Sequence, residues 1–201
     1  MRNLLTYLFL IINFTFYYPC SALSKVVGDK IILGSVISLT GNNALKGIEI
    51  QKDFNSTIDN INKMGGVKVG KKNYSFQIIY YDDESNPVRA NQITKRLVLQ
   101  EGVQFVLGPY SLELTEAIIE VTEKNQVLLI EINNTYPTPI PKDYKYAFSM
   151  QGAKNPINGL SAPLLIYKDA IERANSLDIS KIRDALSVVI QIRNYLADIV
   201  S

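Results

Sequence analysis

The chain has 201 residues, which is enough for one domain with a sizeable core, or one and a fraction, and too short for two full domains. Its 21 lysines and arginines nearly balance its 19 acidic residues, and no basic cluster could follow a phosphate backbone, which disfavours nucleic acid as a partner. With no histidine and a single cysteine, the common routes to a zinc site or an activated nucleophile are closed.

Residues 1–24 have the pattern of a secretory signal peptide. An arginine is followed by an almost wholly apolar or aromatic stretch over residues 4–18, and then by small residues. Cleavage after Ala22 or Ser24 would remove Cys20, leaving no thiol in the mature chain. An uncleaved anchor and a buried helix are the alternatives, while a lipid anchor on Cys20 is disfavoured because two tyrosines and a proline precede it. We therefore expect a periplasmic or extracellular protein.

The next segment reads as a strand, a helix and a second strand. Residues 31–39 are rich in β-branched and aliphatic residues and end in turn and cap residues, up to Asn43. Apolar residues then recur at helical spacing as far as residue 64, and the face expected to point to the core holds Leu45, Ile48, Phe54, Ile58 and Ile61. Residues 66–73 read as a loop or hairpin, and the second strand is predicted over residues 74–81.

Two more helix–strand units follow. A helix is predicted over residues 88–100, a strand over 103–107, a helix over 114–125 and a strand over 127–132. This β-α-β-α-β-α-β order predicts an α/β fold, with a parallel sheet and helices on both of its faces. Ligands of such sheets bind outside the carboxyl ends of the strands. Those ends are residues 38–43, 82–86, 108–111 and 133–135.

The pattern changes after Thr135. Prolines become frequent, residues 146–148 read as an edge strand, and two amphipathic helices follow, separated by a break with a capping residue near Asp178. The sequence thus predicts four segments. They are a signal peptide (1–24), an N-terminal α/β ligand-binding lobe (25–136), a Pro-rich irregular connection (137–162) and a C-terminal helical segment (163–201).

The strand–turn–helix junction at Gly108-Pro109-Tyr110-Ser111 is the candidate binding site. A helix start exposes main-chain N–H groups at the positive end of the helix dipole, so it can hold a carboxylate without a basic side chain. Ser111 adds a hydroxyl at the same place. We therefore expect a small anionic group to bind here.

Asp82 and Asp83 are the other chemically notable pair. Two carboxylates at a strand end could supply a catalytic acid or a magnesium ligand. No third ligand is in view, so the preferred interpretation is that they cap the following helix and solvate its loop. The glycines Gly65, Gly66 and Gly70 lack the spacing of a phosphate-binding loop and read as turn residues.

Four motifs follow one another along the chain: Ile31-Ile32-Leu33-Gly34 with Leu39-Thr40-Gly41, Ile61 to Val67, Tyr81-Asp82-Asp83 with Asn86-Pro87, and Gly102 to Ser111. Together they resemble the leucine/isoleucine/valine-binding type of periplasmic solute-binding protein, the receptor component of amino-acid ABC importers. Their order and spacing match over about residues 29–136, and residues 167–186 match near the carboxyl end. Members of the family are nearly twice as long and close two lobes on an amino acid. The resemblance therefore implies a truncated chain with most of the second lobe missing.

The resemblance also implies a binding site and a role. The ligand carboxylate is expected at main-chain N–H groups and a hydroxyl near Tyr110, Ser111 and Leu112, and the ammonium group at Asn133 and Thr135. Leucine replaces a frequent second serine at position 112, and a lysine at position 46 replaces a frequent aromatic residue. No catalytic residue, metal or cofactor is implied; the implied partners are an amino acid and an ABC permease.

Three functions follow from these patterns. The first is an exported amino-acid-binding receptor lobe with weak or lost binding. The second is a ligand-free interaction protein that self-associates, or pairs with a full-length relative, through the helices after Leu164. The third, an enzyme using Asp82 and Asp83, is disfavoured by the residue inventory.

Overall fold

The computed structural model describes residues 25–132, 140, 143–149 and 160–188, so the predicted signal peptide and most of the predicted connection lie outside it. The strands are β1 (Val26–Val27), β2 (Lys30–Ile37), β3 (Val67–Val69), β4 (Lys72–Asp82), β5 (Phe105–Leu107), β6 (Leu128–Ile130) and β7 (Ala147–Phe148). The helices are α1 (Ala44–Lys63), α2 (Pro87–Lys95), α3 (Leu112–Lys124), α4 (Ala162–Ala174) and α5, which is helical over the described residues 179–188. One π-helical turn, Arg96–Gln100, continues α2.

The strands form one sheet in the order β3-β4-β2-β5-β6-β7, and β1 also pairs with β2. The pairs β2–β4, β2–β5, β5–β6 and β6–β7 are parallel, whereas β1–β2 and β3–β4 are antiparallel. The predicted α/β class is confirmed. The open alternative at residues 66–73 is settled as the start of a hairpin, and the predicted edge strand at residues 146–148 is present as β7, parallel to β6.

Alternating residues of the central strands supply two cores, one on each face of the sheet. From β2, Leu33 and Ile37 face the core covered by α1, α4 and α5, and Ile32 and Val36 face the core covered by α2 and α3. Both faces of β2 are buried because helices cover the sheet on both sides, as in parallel sheets generally.

The predicted core face of α1 is wrong at its first turn. Leu45 is 89% exposed and Ile48 is 52% exposed. The face in contact with the sheet runs instead through Gly47, Ile50, Phe54, Ile58 and Ile61. Gly47 sets this rotation, because a Cβ built on it would lie 1.8 Å from the carbonyl oxygen of Ser38. The helix therefore approaches the end of β2 with its one residue that lacks a side chain.

The C-terminal helices pack on the same sheet as the preceding elements. The hydroxyl of Tyr167 lies 3.0 Å from the carbonyl oxygen of Val106 in β5 and 2.7 Å from that of Leu128 in β6. At the far edge of the sheet, the main-chain N–H of Lys68 donates to the Glu172 side chain at 3.0 Å. The predicted cap between α4 and α5 is confirmed, since an oxygen of Asp178 accepts from the main-chain N–H groups of residues 180 and 181.

Candidate functional site

The order of the strands places a crevice between β2 and β5. β2 lies between β4 and β5, so the chain proceeds from β2 to one side of the sheet and returns to β5 on the other. Helix α1, which follows β2, covers one face, and α3, which follows β5, covers the opposite face. The starts of α1 and α3 thus diverge at the carboxyl ends of adjacent parallel strands, the usual ligand site in open α/β sheets.

Ser111 caps α3 on one side of this crevice. Its backbone is extended (φ −103°, ψ 154°), and its side-chain oxygen accepts from the main-chain N–H of Leu114 at 3.4 Å. No described residue accepts from its hydroxyl hydrogen, so the cap leaves the O–H able to donate to a ligand. The N–H groups of Leu112 and Glu113 belong to the first helical turn, which has no earlier helical carbonyl to bond. This arrangement of donors can bind a carboxylate.

Lys46 from the first turn of α1 reaches across to this site. Its ammonium nitrogen lies 5.5 Å from the centre of the Tyr110 ring and 2.9 Å from a carboxylate oxygen of Glu49. Because the Lys46 side chain is 32% exposed and that of Glu49 is 60% exposed, water screens the ion pair and its contribution to stability is small. The ammonium brings a positive charge to the Tyr110 ring, while the exposed Glu113 in the first turn of α3 opposes an anion.

The predicted ligand contacts divide into two groups. The structure brings Tyr110, Ser111 and Leu112 together at the start of α3, and all three are partly buried. Leu112 offers only its main-chain N–H, because its side chain has no hydroxyl. Asn133 and Thr135 lie outside the described residues, so their role stays a prediction.

The interpretation of Asp82 and Asp83 as caps of the following helix is wrong, because Asn86 caps α2. Its side chain accepts from the main-chain N–H groups of Val88 and Arg89, at 2.9 and 3.1 Å. The two aspartates instead hold the loop after β2. Asp82 accepts from the main-chain N–H groups of Leu39, Thr40 and Glu84 and from the Thr40 hydroxyl. Asp83 accepts from the Ser38 hydroxyl and from the main-chain N–H of Ser85.

The environments of the two carboxylates shift their pKa values in opposite directions. Burial raises the pKa of Asp83, and the hydrogen bonds from Ser38 and Ser85 only partly offset it. Burial also opposes ionisation of Asp82, but the hydrogen bonds from Glu84, Thr40 and Leu39 outweigh it and hold that pKa below its usual range. Within the described ranges, no group of three or more acidic, histidine or cysteine side chains could hold a metal ion.

Glu131 is a notable residue that the sequence patterns did not single out. It follows β6, is 5% exposed, and accepts a hydrogen bond from the Ser149 hydroxyl. Burial raises the pKa of its carboxyl group. Its one sequence signal is that it is the single charged residue in the apolar run from Val127 to Ile132.

A family model fits most of this chain. The model of the periplasmic binding protein family matches residues 30–159, which include the β2–β5 crevice and Ser111. The chain belongs to this periplasmic binding protein family. The prediction of a leucine/isoleucine/valine-binding type is confirmed by relatives, and a family of binding proteins agrees with the expectation that the chain is not an enzyme.

Two curated relatives of this periplasmic binding protein illustrate the match. Leu/Ile/Val-binding protein homolog 1 of Brucella abortus is 31% identical over 107 residues, which are 53% of this chain and 28% of that protein. The leucine-, isoleucine-, valine-, threonine- and alanine-binding protein of Pseudomonas aeruginosa is 31% identical over 131 residues, 65% of this chain and 34% of that protein. The chain spans about a third of the length of these relatives.

Solved structures of the same kind share the fold. The branched-chain amino acid transporter substrate-binding protein LivJ of Streptococcus pneumoniae, solved in complex with isoleucine, matches with a TM-score of 0.55 and 27% identity over 62% of this chain and 35% of that one. An ABC transporter substrate-binding protein from Sphaerobacter thermophilus has a TM-score of 0.50 and 19% identity, over 60% of this chain and 32% of that one. Across the described part of this periplasmic binding protein, no helix has the length and apolar character needed to cross a membrane.

Proposed function

We propose that this chain is an exported receptor lobe that binds the α-carboxylate of a branched-chain amino acid, or of a related amide, and serves an ABC permease. One observation carries the proposal: Ser111 caps α3 at the crevice between β2 and β5 with its O–H still able to donate. The relatives supply the class of ligand, since their names specify leucine, isoleucine and valine. The proposed location is periplasmic or extracellular.

The proposed contacts follow from the donors at the start of α3. The carboxylate accepts from the Ser111 hydroxyl and from main-chain N–H groups of the first helical turn, as charge-assisted hydrogen bonds. Asn133 and Thr135 are proposed to hold the ammonium group. Leu112 removes a second hydroxyl donor and adds an apolar surface that suits an aliphatic side chain.

The lobe by itself is expected to bind weakly. Small-ligand sites usually bury most of their ligand, and a crevice on one lobe leaves much of it in water. The negative charge of Glu113 further lowers the attraction for a carboxylate. We expect a dissociation constant on the order of millimolar. The truncation that the resemblance implies is part of this proposal.

Calorimetric titration of the purified chain with leucine, isoleucine, valine, polar amino acids and short amides tests this proposal. The informative variant is Ser111→Asp, which keeps a helix-cap acceptor, removes the O–H donor and places a negative charge where the carboxylate would lie. Ser56→Asp on the exposed face of α1 is the matched control. We expect heat of binding in the wild type and the control and none in Ser111→Asp, at similar melting temperatures. Absence of heat across the panel, or unaltered binding in Ser111→Asp, would contradict it.

A second candidate, an interaction protein without ligand, is favoured by one observation. Leu45 and Ile48 of α1, together with Val88 of α2, are large apolar residues that are more than half exposed. In α4 and α5, by contrast, most apolar side chains face the core of this chain. Self-association is therefore expected through α1 rather than through the helices after Leu164. Sedimentation would show a dimer that Ile48→Ser weakens; a monomer at high concentration would argue against this candidate.

A further inference from the structure

Two loops at the carboxyl edge of the sheet are joined by a dense set of hydrogen bonds. Both oxygens of Asp82 accept from Thr40, at 3.2 Å from its main-chain nitrogen and 2.7 Å from its hydroxyl, and one also accepts from the Leu39 N–H at 2.8 Å. Asp83 accepts from the Ser38 hydroxyl at 2.6 Å. We call Asp82, Asp83 and Ser85, which hold the loop of residues 38–43, the carboxylate clasp.

Ser85 extends the carboxylate clasp to the start of α1. Its hydroxyl donates to the Thr40 carbonyl oxygen at 2.9 Å and accepts from the main-chain N–H of Asn43 at 3.0 Å. Ser85 adopts a positive φ of 56°, and Gly41 a φ of 79°. A Cβ on Gly41 would lie 2.5 Å from the carbonyl oxygen of Glu84, so the two loops meet backbone against backbone.

The start of α1 depends on these contacts. Asn43 occupies the N-cap position, but its side chain makes no capping hydrogen bond. Its backbone is held by Ser85, in the loop after β4, and the first turn lies against the Ser38 carbonyl, directly after β2, at Gly47. Lys46 projects from this same turn onto the Tyr110 ring, one residue before Ser111.

Asp83 is an energetically unfavourable residue for a contact between loops that has only a structural role. It is fully buried, and one of its carboxylate oxygens accepts from no donor among the residues that the structure describes. An unpartnered buried oxygen on an ionisable group destabilises a fold, so a well-packed neutral residue would serve stability better. This cost is consistent with a functional constraint on the geometry of the loop.

We propose that Asp82, Asp83 and Ser85 are positioning residues of the binding site, which fix the first turn of α1 and so hold the Lys46 ammonium over Tyr110 at the mouth of the crevice. The effect on a ligand rests on the proposed function. The effect on Lys46 does not, because it is a contact between residues of this chain.

Nuclear magnetic resonance of the full chain, labelled with ¹³C at lysine, tests the positioning directly. The ε-methylene signal of Lys46 carries a ring-current shift from Tyr110, and Tyr110→Leu defines its value without the ring. We expect Asp82→Ala and Ser85→Ala to move this signal most of the way to the Tyr110→Leu value, and to accelerate amide hydrogen exchange at Asn43 about tenfold. Asp82→Asn, which keeps an acceptor for Leu39 and Thr40, should retain the wild-type signal, as should Asp59→Ala on the exposed side of α1.

An unchanged Lys46 signal in Ser85→Ala and Asp82→Ala would overturn the proposal; if Asp82→Ala does not fold, Ser85→Ala decides. A leucine titration then separates the two proposals. If the wild type binds no leucine, the proposed function fails while the Lys46 signal still decides the positioning role. A further outcome is that the wild type and Ser85→Ala bind leucine equally well while the Lys46 signal of the variant is shifted. In that case the position of Lys46 does not affect the ligand, and the claim that the clasp serves the binding site is wrong.

Discussion

The ring of Tyr167 packs edge-on against the ring of Phe105, with centroids 5.2 Å apart and planes inclined by 74°. This is a favourable aromatic geometry, and it joins α4 to the central strand β5. The hydroxyl beyond the ring reaches the carbonyl oxygens of Val106 and Leu128. A residue late in the chain therefore holds together two strands that precede it by dozens of residues.

Replacing Tyr167 by phenylalanine should lower the free energy of unfolding by about 1–2 kcal/mol, because a fully buried hydroxyl and its bonds are lost. Tyr167→Ala should lower it by about 3–5 kcal/mol through the cavity left beside Phe105. Urea denaturation measures both. The matched control is Tyr80→Phe, whose hydroxyl bonds to an exposed Asn55 at 2.8 Å and should contribute little. Equal losses in Tyr167→Phe and Tyr80→Phe would contradict the docking of α4.

Leu45→Ala and Ile50→Ala should differ strongly, although both remove an aliphatic side chain from α1. Ile50 is fully buried, so its truncation should destabilise the chain by about 2–5 kcal/mol. Leu45 is 89% exposed, so its truncation should change stability by less than about 0.5 kcal/mol. Thermal or urea denaturation of the two variants provides the comparison. A large loss in Leu45→Ala at low protein concentration would show that the rotation of α1 is different.

Gly47→Ala should destabilise the chain, by about 3 kcal/mol or more, because the added Cβ would lie 1.8 Å from the Ser38 carbonyl oxygen. The sign is diagnostic, since glycine to alanine inside an ordinary helix stabilises by about 1 kcal/mol. Ser56→Ala at an exposed position of the same helix is the control and should be close to neutral. A stabilised Gly47→Ala would show that α1 does not touch the end of β2.

The variants Asp83→Asn and Asp82→Asn should shift the pH dependence of stability in opposite directions. The folded-state pKa of Asp83 is raised above the ordinary aspartate value of 3.8. Its contribution to folding stability is therefore present below pH 3.8 and is lost as pH rises through the folded-state pKa. The folded-state pKa of Asp82 is lowered, so its contribution is present above 3.8 and is lost as pH falls through the folded pKa.

Urea denaturation at pH 3 and pH 7 measures this difference. We compare the free energy of unfolding of each variant with that of the wild type. For Asp83→Asn this difference should favour the variant more at pH 7 than at pH 3. For Asp82→Asn it should favour the variant less at pH 7 than at pH 3. Asp59→Asn, at an exposed position of α1, serves as the control substitution. Shifts of the same sign in the two clasp variants would contradict the assigned environments.

Local sequence patterns were sufficient to predict most of the strands and helices. They also predicted the half of the candidate site that lies at the start of α3. The strand–helix alternation from residue 31 to residue 132 follows from side-chain periodicity, which depends only on neighbours in the chain. Ser111 could be placed at a helix start because cap residues lie next to the apolar run that they begin. The role of Asn86 as the cap of α2 was missed because Asp82, Asp83 and Ser85 precede it, and each is of a type that can cap a helix.

The sequence by itself determined the α/β class, the order of the elements and the position of Ser111 at the start of α3, because each depends on contacts within a few residues. Only the tertiary structure decided the rotation of α1, the docking of Tyr167 on β5 and β6, and the clasp between residues 38–43 and 82–85. The docking of Tyr167 and the clasp join residues that are about 40 or more positions apart in the chain. The rotation of α1 depends on a shorter-range contact, in which the main chain at Gly47 approaches the main chain at Ser38. Side-chain periodicity carries no information about either kind of contact, because both depend on how the sheet and helices are assembled.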